Sequence, residues 1–473
     1  MHDCGPADRK TYDLIVVGAG SAGFSAAITA AQTGAQVLMV GHGTIGGTCV
    51  NVGCVPSKNL IRAAEAVHAA GAAGRFPGIA GRAQLADWRA LKASKDALVA
   101  ELREKKYIDL LPQYENMAYV EGKARLVEGG VQVEGDIYRS PRTFIATGSS
   151  PWIPDIAGID TVNVLNSTDA LDLEDLPASL LVLGGGYIGC ELAQMFSRLG
   201  SAVTLVTRSR LLPEAEPEIS DAMTACFLAE GIKVVTGVQY RAVKSTRHGI
   251  ALELERDGRR QVLEAGHLLV TAGRRPNSDG LGLAALGVAR DADGGIVVDA
   301  QMRTGNPAIY AAGDVTGRDP FVYMAAYGAK LAARHALGID APAYENAAMP
   351  WVVFSDPQIA GVGLSECDAR ARGLSVKTSI APLDQVPRAL AARDTRGLIK
   401  LVADAATDRL VGAQIMAPEG ADSIQTLALA LKFGMTAREL GETIFPYLTT
   451  VEGFKLAAQG FEKDVTKLSC CAG

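Results

Sequence analysis

No stretch of this 473-residue chain approaches the ~18 uninterrupted apolar residues of a membrane span. The N-terminal residues Met1 to Lys10 are polar and charged, with no apolar h-region, so no secretory signal is expected. A basic excess is also missing. The net charge of -6 leaves no electrostatic footprint for nucleic acid or an anionic membrane. These absences leave a cytoplasmic globular protein, and its 48% apolar and 21% charged residues fit that class. The length calls for about three domains. An intracellular setting also argues against a disulfide framework among the eight cysteines.

Spacing singles out two pairs of those cysteines. Cys49 and Cys54 sit in Gly46-Gly47-Thr48-Cys49-Val50-Asn51-Val52-Gly53-Cys54-Val55-Pro56-Ser57-Lys58, and Cys470 and Cys471 are adjacent near the C-terminus. Adjacent Cα atoms lie roughly 3.8 Å apart, below the usual disulfide span of about 4.4–6.8 Å. The terminal pair therefore reads as two thiols offered to something soft. Five residues along an ideal helix rise about 7.5 Å, so a bridge between Cys49 and Cys54 would need distortion and be readily reduced. Gly53 supplies permissive backbone there. Cys4, Cys190, Cys226 and Cys367 stand alone; Cys4 reads as an exposed tail thiol and the others as small core hydrophobes.

Two segments have the order strand, glycine turn, helix, strand. The apolar run Asp13–Val17 ends in Gly18-Ala19-Gly20-Ser21-Ala22-Gly23, followed by a helical stretch from Phe24 to about Gln32 and a strand at Gln36–Val40. Gly18 makes the tight turn, Gly20 admits a pyrophosphate to the backbone, and Gly23 lets helix pack on strand. The helix N-terminus presents free N–H groups to the phosphates. The pattern recurs at Leu180–Leu183, Gly184-Gly185-Gly186-Tyr187-Ile188-Gly189, the helical Cys190–Phe196 and the strand Ala202–Val206. Two such units imply two dinucleotides.

An acid is missing after both second strands. Thr207 and Arg208 follow Val206, with Arg210 close by. An acid would bond a ribose 2′-hydroxyl, whereas arginine accommodates a 2′-phosphate, so Arg208 points to NADPH over NADH. After Val40 stands Gly41, and His42 is a poor substitute for the expected acid.

At these residues the chain resembles the flavoprotein disulfide reductases, the family of glutathione reductase, dihydrolipoamide dehydrogenase and mercuric reductase. Further matches are Ala146-Thr147-Gly148, Thr271-Ala272-Gly273-Arg274-Arg275-Pro276-Asn277 and Tyr310-Ala311-Ala312-Gly313-Asp314-Val315. The resemblance implies an α/β chain with two Rossmann-like domains, for FAD and NADPH, and a C-terminal α+β dimerisation domain. The expected boundaries are 1–150 and 271–345 for FAD, 151–270 for NAD(P)H and 346–473 for dimerisation. It implies FAD contacts from Gly18, Gly20, Ser21, Ala22, Gly23, Gly47, Thr48, Lys58, Thr147, Gly148 and Asp314. The nicotinamide nucleotide would be met by Gly184, Gly186, Tyr187, Gly189, Arg208 and Gly273. Cys54 would face the flavin and Cys49 the substrate, Lys58 and Glu191 would form an ion pair, and Tyr187 would shield the flavin.

The C-terminal segment separates the branches of the family. Its disulfide reductases use a histidine before a proline, contributed by the partner subunit, as general acid and base. Here Phe445 precedes Pro446, and none of the six histidines lies in that segment. A soft metal ion needs no such proton, and thiolates are its ligands. Phe445-Pro446-Tyr447-Leu448-Thr449 and the terminal cysteines resemble mercuric reductases. That likeness implies a homodimer in which Cys470 and Cys471 of one subunit capture Hg(II) and pass it to Cys49 and Cys54 of the other, beside Tyr107 and Tyr447. Small thiols or a mercury carrier protein would deliver the ion. Many members carry an N-terminal CxxC domain, and only about a dozen residues precede the first strand here, so the catalytic core alone is expected. Competing readings are a large-type thioredoxin reductase, a dihydrolipoamide dehydrogenase, and a non-catalytic thiol buffer for Hg(II) or Cu(I).

The remainder reads as structural. Trp351–Phe354 and Leu398–Val402 with helical stretches near Ser423–Lys432 and Leu456–Lys463 suit an α+β interface domain. Arg89–Tyr107 reads as a solvated helix face except for Tyr107. Arg388 and Arg393 read as surface residues.

Overall fold

The computed structural model describes residues 10–464, so Cys4, Cys470 and Cys471 lie outside the described residues. The chain divides into two compact units. The first comprises the residues through Asn59, Arg89–Trp152 and Gly273–Glu345; the second comprises Leu60–Trp88, Ile153–Ala272 and the residues from Asn346 onward.

In the first unit, β1 (Leu14–Val17), β2 (Val37–Gly41) and β3 (Met117–Glu121) lie side by side, and Thr143–Ile145 and Ile309–Ala311 extend the sheet beyond β1. All four pairings are parallel. The β1 and β2 residues are buried without exception, as expected for parallel strands covered on both faces. Ile15, Val17, Leu38 and Val40 cluster with Val131, Val133 and Tyr138 from a three-stranded antiparallel sheet. Helix α1 (Ser21–Ala31) leaves β1 through the glycine turn, and the Ser25 hydroxyl donates to Ala326 O at 2.8 Å in the helix Val322–Ala336. The end of β1 lies between β2 on one side and Thr143–Ile145 on the other, the switch point where open α/β sheets place ligands. Two further helices matter for the site: α2 (Gly47–Asn51) and α3 (Cys54–Gly71), the latter belonging to this unit through Asn59.

The second unit repeats the parallel design with strands Ser179–Leu183, Ala202–Val206, Lys233–Val235, His267–Val270 and Val164–Leu165. The two strands read from the sequence, Leu180–Leu183 and Ala202–Val206, match within a residue. Its C-terminal part is a five-stranded antiparallel sheet, in spatial order Pro350–Val353, Gln358–Gly363, Leu410–Ala417, Leu398–Asp404 and Val376–Pro382. Helices Gly420–Lys432 and Glu452–Gln459 pack on it through Ile424, Leu427, Phe454 and Ala457. Among the described residues no helix is long and apolar enough to cross a membrane.

Three local expectations need correction. The last helix is Glu452–Gln459, earlier than Leu456–Lys463, because the fully buried Phe454 and Ala457 set its frame against the sheet. The stretch after Arg89 forms α4 (Trp88–Lys106), but it is not simply a solvated face: Lys95 and Val99 are buried along it. Of the lone cysteines among the described residues, Cys190 is buried, Cys226 half-buried and Cys367 exposed.

Buried charge ties the second unit together. Lys400, 2% exposed, holds Glu216 at 2.9 Å, Glu218 at 3.0 Å and Glu366 at 3.0 Å. Glu216 also accepts from the Glu366 N–H at 2.6 Å. Arg198 bridges Glu230 at 2.6 Å and Asp356 at 2.9 Å.

Candidate active site

Gly46 and Gly47, both at positive φ, turn the chain from β2 into α2. A side chain on Gly46 would meet Val50 and Tyr107, and one on Gly47 would meet Gly20 Cα at 2.7 Å. The short helix ends at Val52 (φ -140°) and α3 starts at Cys54, so the two cysteines sit on separate helices around one break. Gly53 packs against Thr48 O, where a Cβ would lie 2.8 Å away. Asn51 fixes the turn by donating to Ile45 O and Gly47 O, both at 2.9 Å, while its side-chain Oδ1 accepts from Arg103 at 3.2 Å.

The break brings the thiols together. A hydrogen bond with Cys54 and then burial hold the Cys49 thiol well above its ordinary pKa, while the Lys58 charge pulls it down. Cys49 is half-buried and Cys54 exposed. Tyr107 stands beside them with its ring edge-on to Phe24 at 4.9 Å and its hydroxyl 3.4 Å from Ser21 Oγ. Burial raises the Tyr107 phenol, the Ser21 contact opposes this, and the two cysteines add to it. Among the described residues no cluster of three or more His, Cys, Asp or Glu side chains is set to hold a metal ion.

Asp314 is positioned by a relay that sequence reading missed. Arg274 Nε donates to Ser149 Oγ at 2.8 Å, and that hydroxyl donates to Asp314 Oδ2 at 2.7 Å. Arg274 also donates to Ser149 O at 2.6 Å. Burial lowers the Arg274 pKa, against the opposing pull of Asp314 and Cys54. Thr147 and Asn277 lock the neighbouring loops by reciprocal bonds: Thr147 Oγ1 to Asn277 O at 2.7 Å and Asn277 Nδ2 to Thr147 O at 2.9 Å. Arg274 and Asn277 lie in the motif Thr271–Asn277, but nothing in the linear order of residues shows that Ser149 joins Arg274 to Asp314.

The glycine turns fit dinucleotides. A Cβ on Gly23 would overlap Gly18 O, and one on Gly189 would overlap Gly184 O, so helix and turn close tightly in both. By contrast nothing lies within 4 Å of a Cβ built on Gly186, and only Gly47 Cα, at 3.6 Å, approaches one on Gly20. Helices Ser21–Ala31 and Tyr187–Leu199 begin at these open glycines with no side-chain cap and no acid in the first turn. Their N–H groups are therefore left for a phosphate.

Residues 12–333 match the pyridine nucleotide-disulphide oxidoreductases, and residues 349–458 match the dimerisation domain of the same group. The chain belongs to this family. Among its relatives are mercuric reductases from Streptomyces lividans, 46% identical over 98% of this chain and 98% of the relative, and from Bacillus cereus, 46% identical over 98% and 73%. The mercuric reductase of Staphylococcus aureus is 44% identical over 98% and 84%. The chain is also similar to two solved structures. The HOCl-induced flavoprotein disulfide reductase RclA from Escherichia coli has a TM-score of 0.83 at 27% identity, covering 95% of this chain and 99% of that one. LpdA from Mycobacterium tuberculosis has a TM-score of 0.83 at 27% identity, covering 94% and 99%.

Family membership implies FAD and a nicotinamide cofactor, and the two open glycine turns fit them. In the second unit Tyr187 stacks on Trp351 at 5.5 Å, and Glu191, 5% exposed, accepts from the Phe354 N–H at 2.9 Å. Arg208 is exposed at the end of Ala202–Val206. Arg210 is committed to its own loop, donating to Pro213 O at 2.9 Å and Ala215 O at 2.5 Å. Gly273, in the first unit, accepts from the Trp152 N–H at 3.0 Å. Phe445 packs on the C-terminal core, and Tyr447 is 50% exposed in the loop after Pro446.

Proposed function

We propose that this protein reduces Hg(II) to elemental mercury at the expense of NADPH. Cys470 and Cys471 of one subunit capture the ion, and Cys49 and Cys54 of the other receive it. The observation that carries this reading is Phe445: it packs on apolar core where the family's disulfide reductases keep a proton shuttle, and it offers no proton to a departing thiol. The relatives named mercuric reductases, 41–46% identical over about 98% of the chain, agree with it.

FAD, when bound, passes two electrons from the nicotinamide to the site of Hg(II) reduction. Gly18, Gly20, Ser21, Ala22, Gly23, Gly47 and Thr48 would hold its dinucleotide portion; Lys58, Thr147, Gly148 and Asp314 would hold the remainder. Gly184, Gly186, Gly189 and Tyr187 would take the nicotinamide nucleotide, and Arg208 would favour a 2′-phosphate. The mercury site needs thiolates, because the deprotonated sulfur is the ligand. The Lys58 charge favours that form at Cys49, against the Cys54 hydrogen bond and the burial that keep its proton on, so the ion must displace that proton as it binds; Tyr107 stands beside the pair. Tyr447 would complete the site from the partner subunit. Glu191 is assigned a positioning role within the second unit.

A homodimer in the cytoplasm, where NADPH is supplied, suits this scheme. Of the large exposed apolar side chains, Ile380, Leu390, Leu429, Phe433, Ile444, Tyr447 and Leu448 lie in the C-terminal domain, with Ile444 94% exposed. Small thiols or a carrier protein would bring the ion.

The test is NADPH oxidation by the FAD-loaded protein. Hg(II) with excess small thiol is compared with glutathione disulfide, lipoamide and oxidised thioredoxin. Fast turnover with Hg(II) and release of volatile mercury are expected. Fast turnover with a disulfide, combined with inhibition by Hg(II), would overturn the reading.

A further inference from the structure

The adenosine end of the first nucleotide site lacks its usual acid, and the neighbouring strand fills the gap. Residue 41 is the last of β2, about twenty residues after the glycine turn, where a carboxylate ordinarily bonds a ribose 2′-hydroxyl. β2 pairs with β3 in the register Met39↔Tyr119 and Gly41↔Glu121. Side chains two apart on a strand share a face, and an aromatic ring reaches a diagonal neighbour. The Tyr119 ring does so. A Cβ built on Gly41 would overlap the Tyr119 hydroxyl, lie 2.8 Å from its Cε2, and lie 2.9 Å from Ala19 Cβ in the glycine turn.

The phenol therefore occupies the ground where an acidic side chain would begin, beside the turn that would carry the pyrophosphate. Tyr119 is half-buried. Burial, with Glu121 adding, raises its pKa, so the hydroxyl keeps its proton at neutral pH. His42, the other candidate, is exposed.

We propose that the Tyr119 hydroxyl replaces the missing carboxylate and hydrogen-bonds the adenosine ribose of FAD. This rests on the assignment of FAD to the first unit. A tyrosine can donate to or accept from a ribose hydroxyl, so it supplies the same contact without a charge.

The experiment titrates apoprotein with FAD and with an analogue lacking the adenosine 2′-hydroxyl, following flavin fluorescence, for wild type and Tyr119→Phe. A neutral hydrogen bond sets the scale at about 3- to 10-fold in affinity. Wild type should prefer FAD over the analogue by that factor, and Tyr119→Phe should bind both equally at the weaker affinity. In a second comparison Tyr119→Ala should likewise bind FAD weakly and fail to discriminate the analogue. If Tyr119→Phe keeps wild-type affinity and discrimination, the proposal is wrong. If wild type fails to bind FAD at all, the FAD assignment falls with it, a distinct result.

Discussion

Replacing Lys400 by methionine tests the buried charge cluster of the second unit. Methionine fills much the same space but leaves the carboxylates that the ammonium holds. They are not equivalent. Glu216 is 3% exposed, whereas Glu366 is 30% and Glu218 37% exposed, so solvent screens the latter two and they are discounted. The decisive pair is Lys400–Glu216 at 2.9 Å. At an effective dielectric near 20, charges ~3 Å apart attract by about 5 kcal/mol. Desolvation offsets much of that, and stranding one partner of a buried pair costs about 3–5 kcal/mol. Lys400→Met should lose about that much, and adding Glu216→Gln should recover most of it, since the glutamine carbonyl still accepts from the Glu366 N–H. Burial lowers the Lys400 pKa, but its three carboxylates outweigh this and raise it overall. A raised folded pKa stabilises fully below the unfolded value, so the contribution is complete at neutral pH. It is lost on the alkaline side, as pH rises through the folded pKa. Urea unfolding followed by tryptophan fluorescence in a Trp88→Phe, Trp152→Phe background, which leaves Trp351 of the same sheet as the reporter, reads the change. A loss under about 1 kcal/mol for Lys400→Met, or a double variant as unstable as the single, would refute the argument.

Three further outcomes are expected. Gly186→Ala should leave thermal stability unchanged, because its Cβ meets nothing within 4 Å at φ -80°. It should raise KM for NADPH about tenfold by crowding the pyrophosphate; an unchanged KM would place the nucleotide elsewhere. Arg208→Ala should weaken NADPH by about tenfold or more, the scale of a charge-assisted contact, and leave NADH unaffected; equal losses would deny a role at the 2′-phosphate. Phe445→His should raise turnover with a small disulfide by at least about tenfold, within the range of general acid–base catalysis. No gain would mean that the missing histidine is not what limits disulfide reduction.

Legibility in the sequence followed locality. The unit β1, glycine turn, α1 and β2 could be read because each part dictates the next within about thirty residues, and the strand ends fell within a residue or so. The Cys49–Cys54 segment was legible as chemistry: an unbroken helix would hold the pair apart, Gly53 offered permissive backbone, and the chain breaks the helix beside it at Val52. What stayed hidden depends on distant pairing. Ser149, Arg274 and Asp314 come from three segments and meet only when the small sheet Ser149–Pro151 with Arg274–Pro276 forms. Tyr119 reaches Gly41 only through the parallel register of β2 with β3. The Glu452–Gln459 helix was misplaced because the expected stretch ran through Gly460, where the helix ends, and gave no weight to Phe454, whose core packing sets its frame.

The overlap at Gly41 also limits the order in which substitutions can accumulate. With Tyr119 in place, any side chain at position 41 collides with the phenol and with Ala19. An ancestor with an acid at 41 could not accept this tyrosine first without displacing its ring. Losing the acid first opens the space and leaves the ribose contact unmade for a time. The two positions are then coupled: a small residue at 119 removes the phenol from the space beside position 41, while the contact with Ala19 Cβ remains whatever stands at 119.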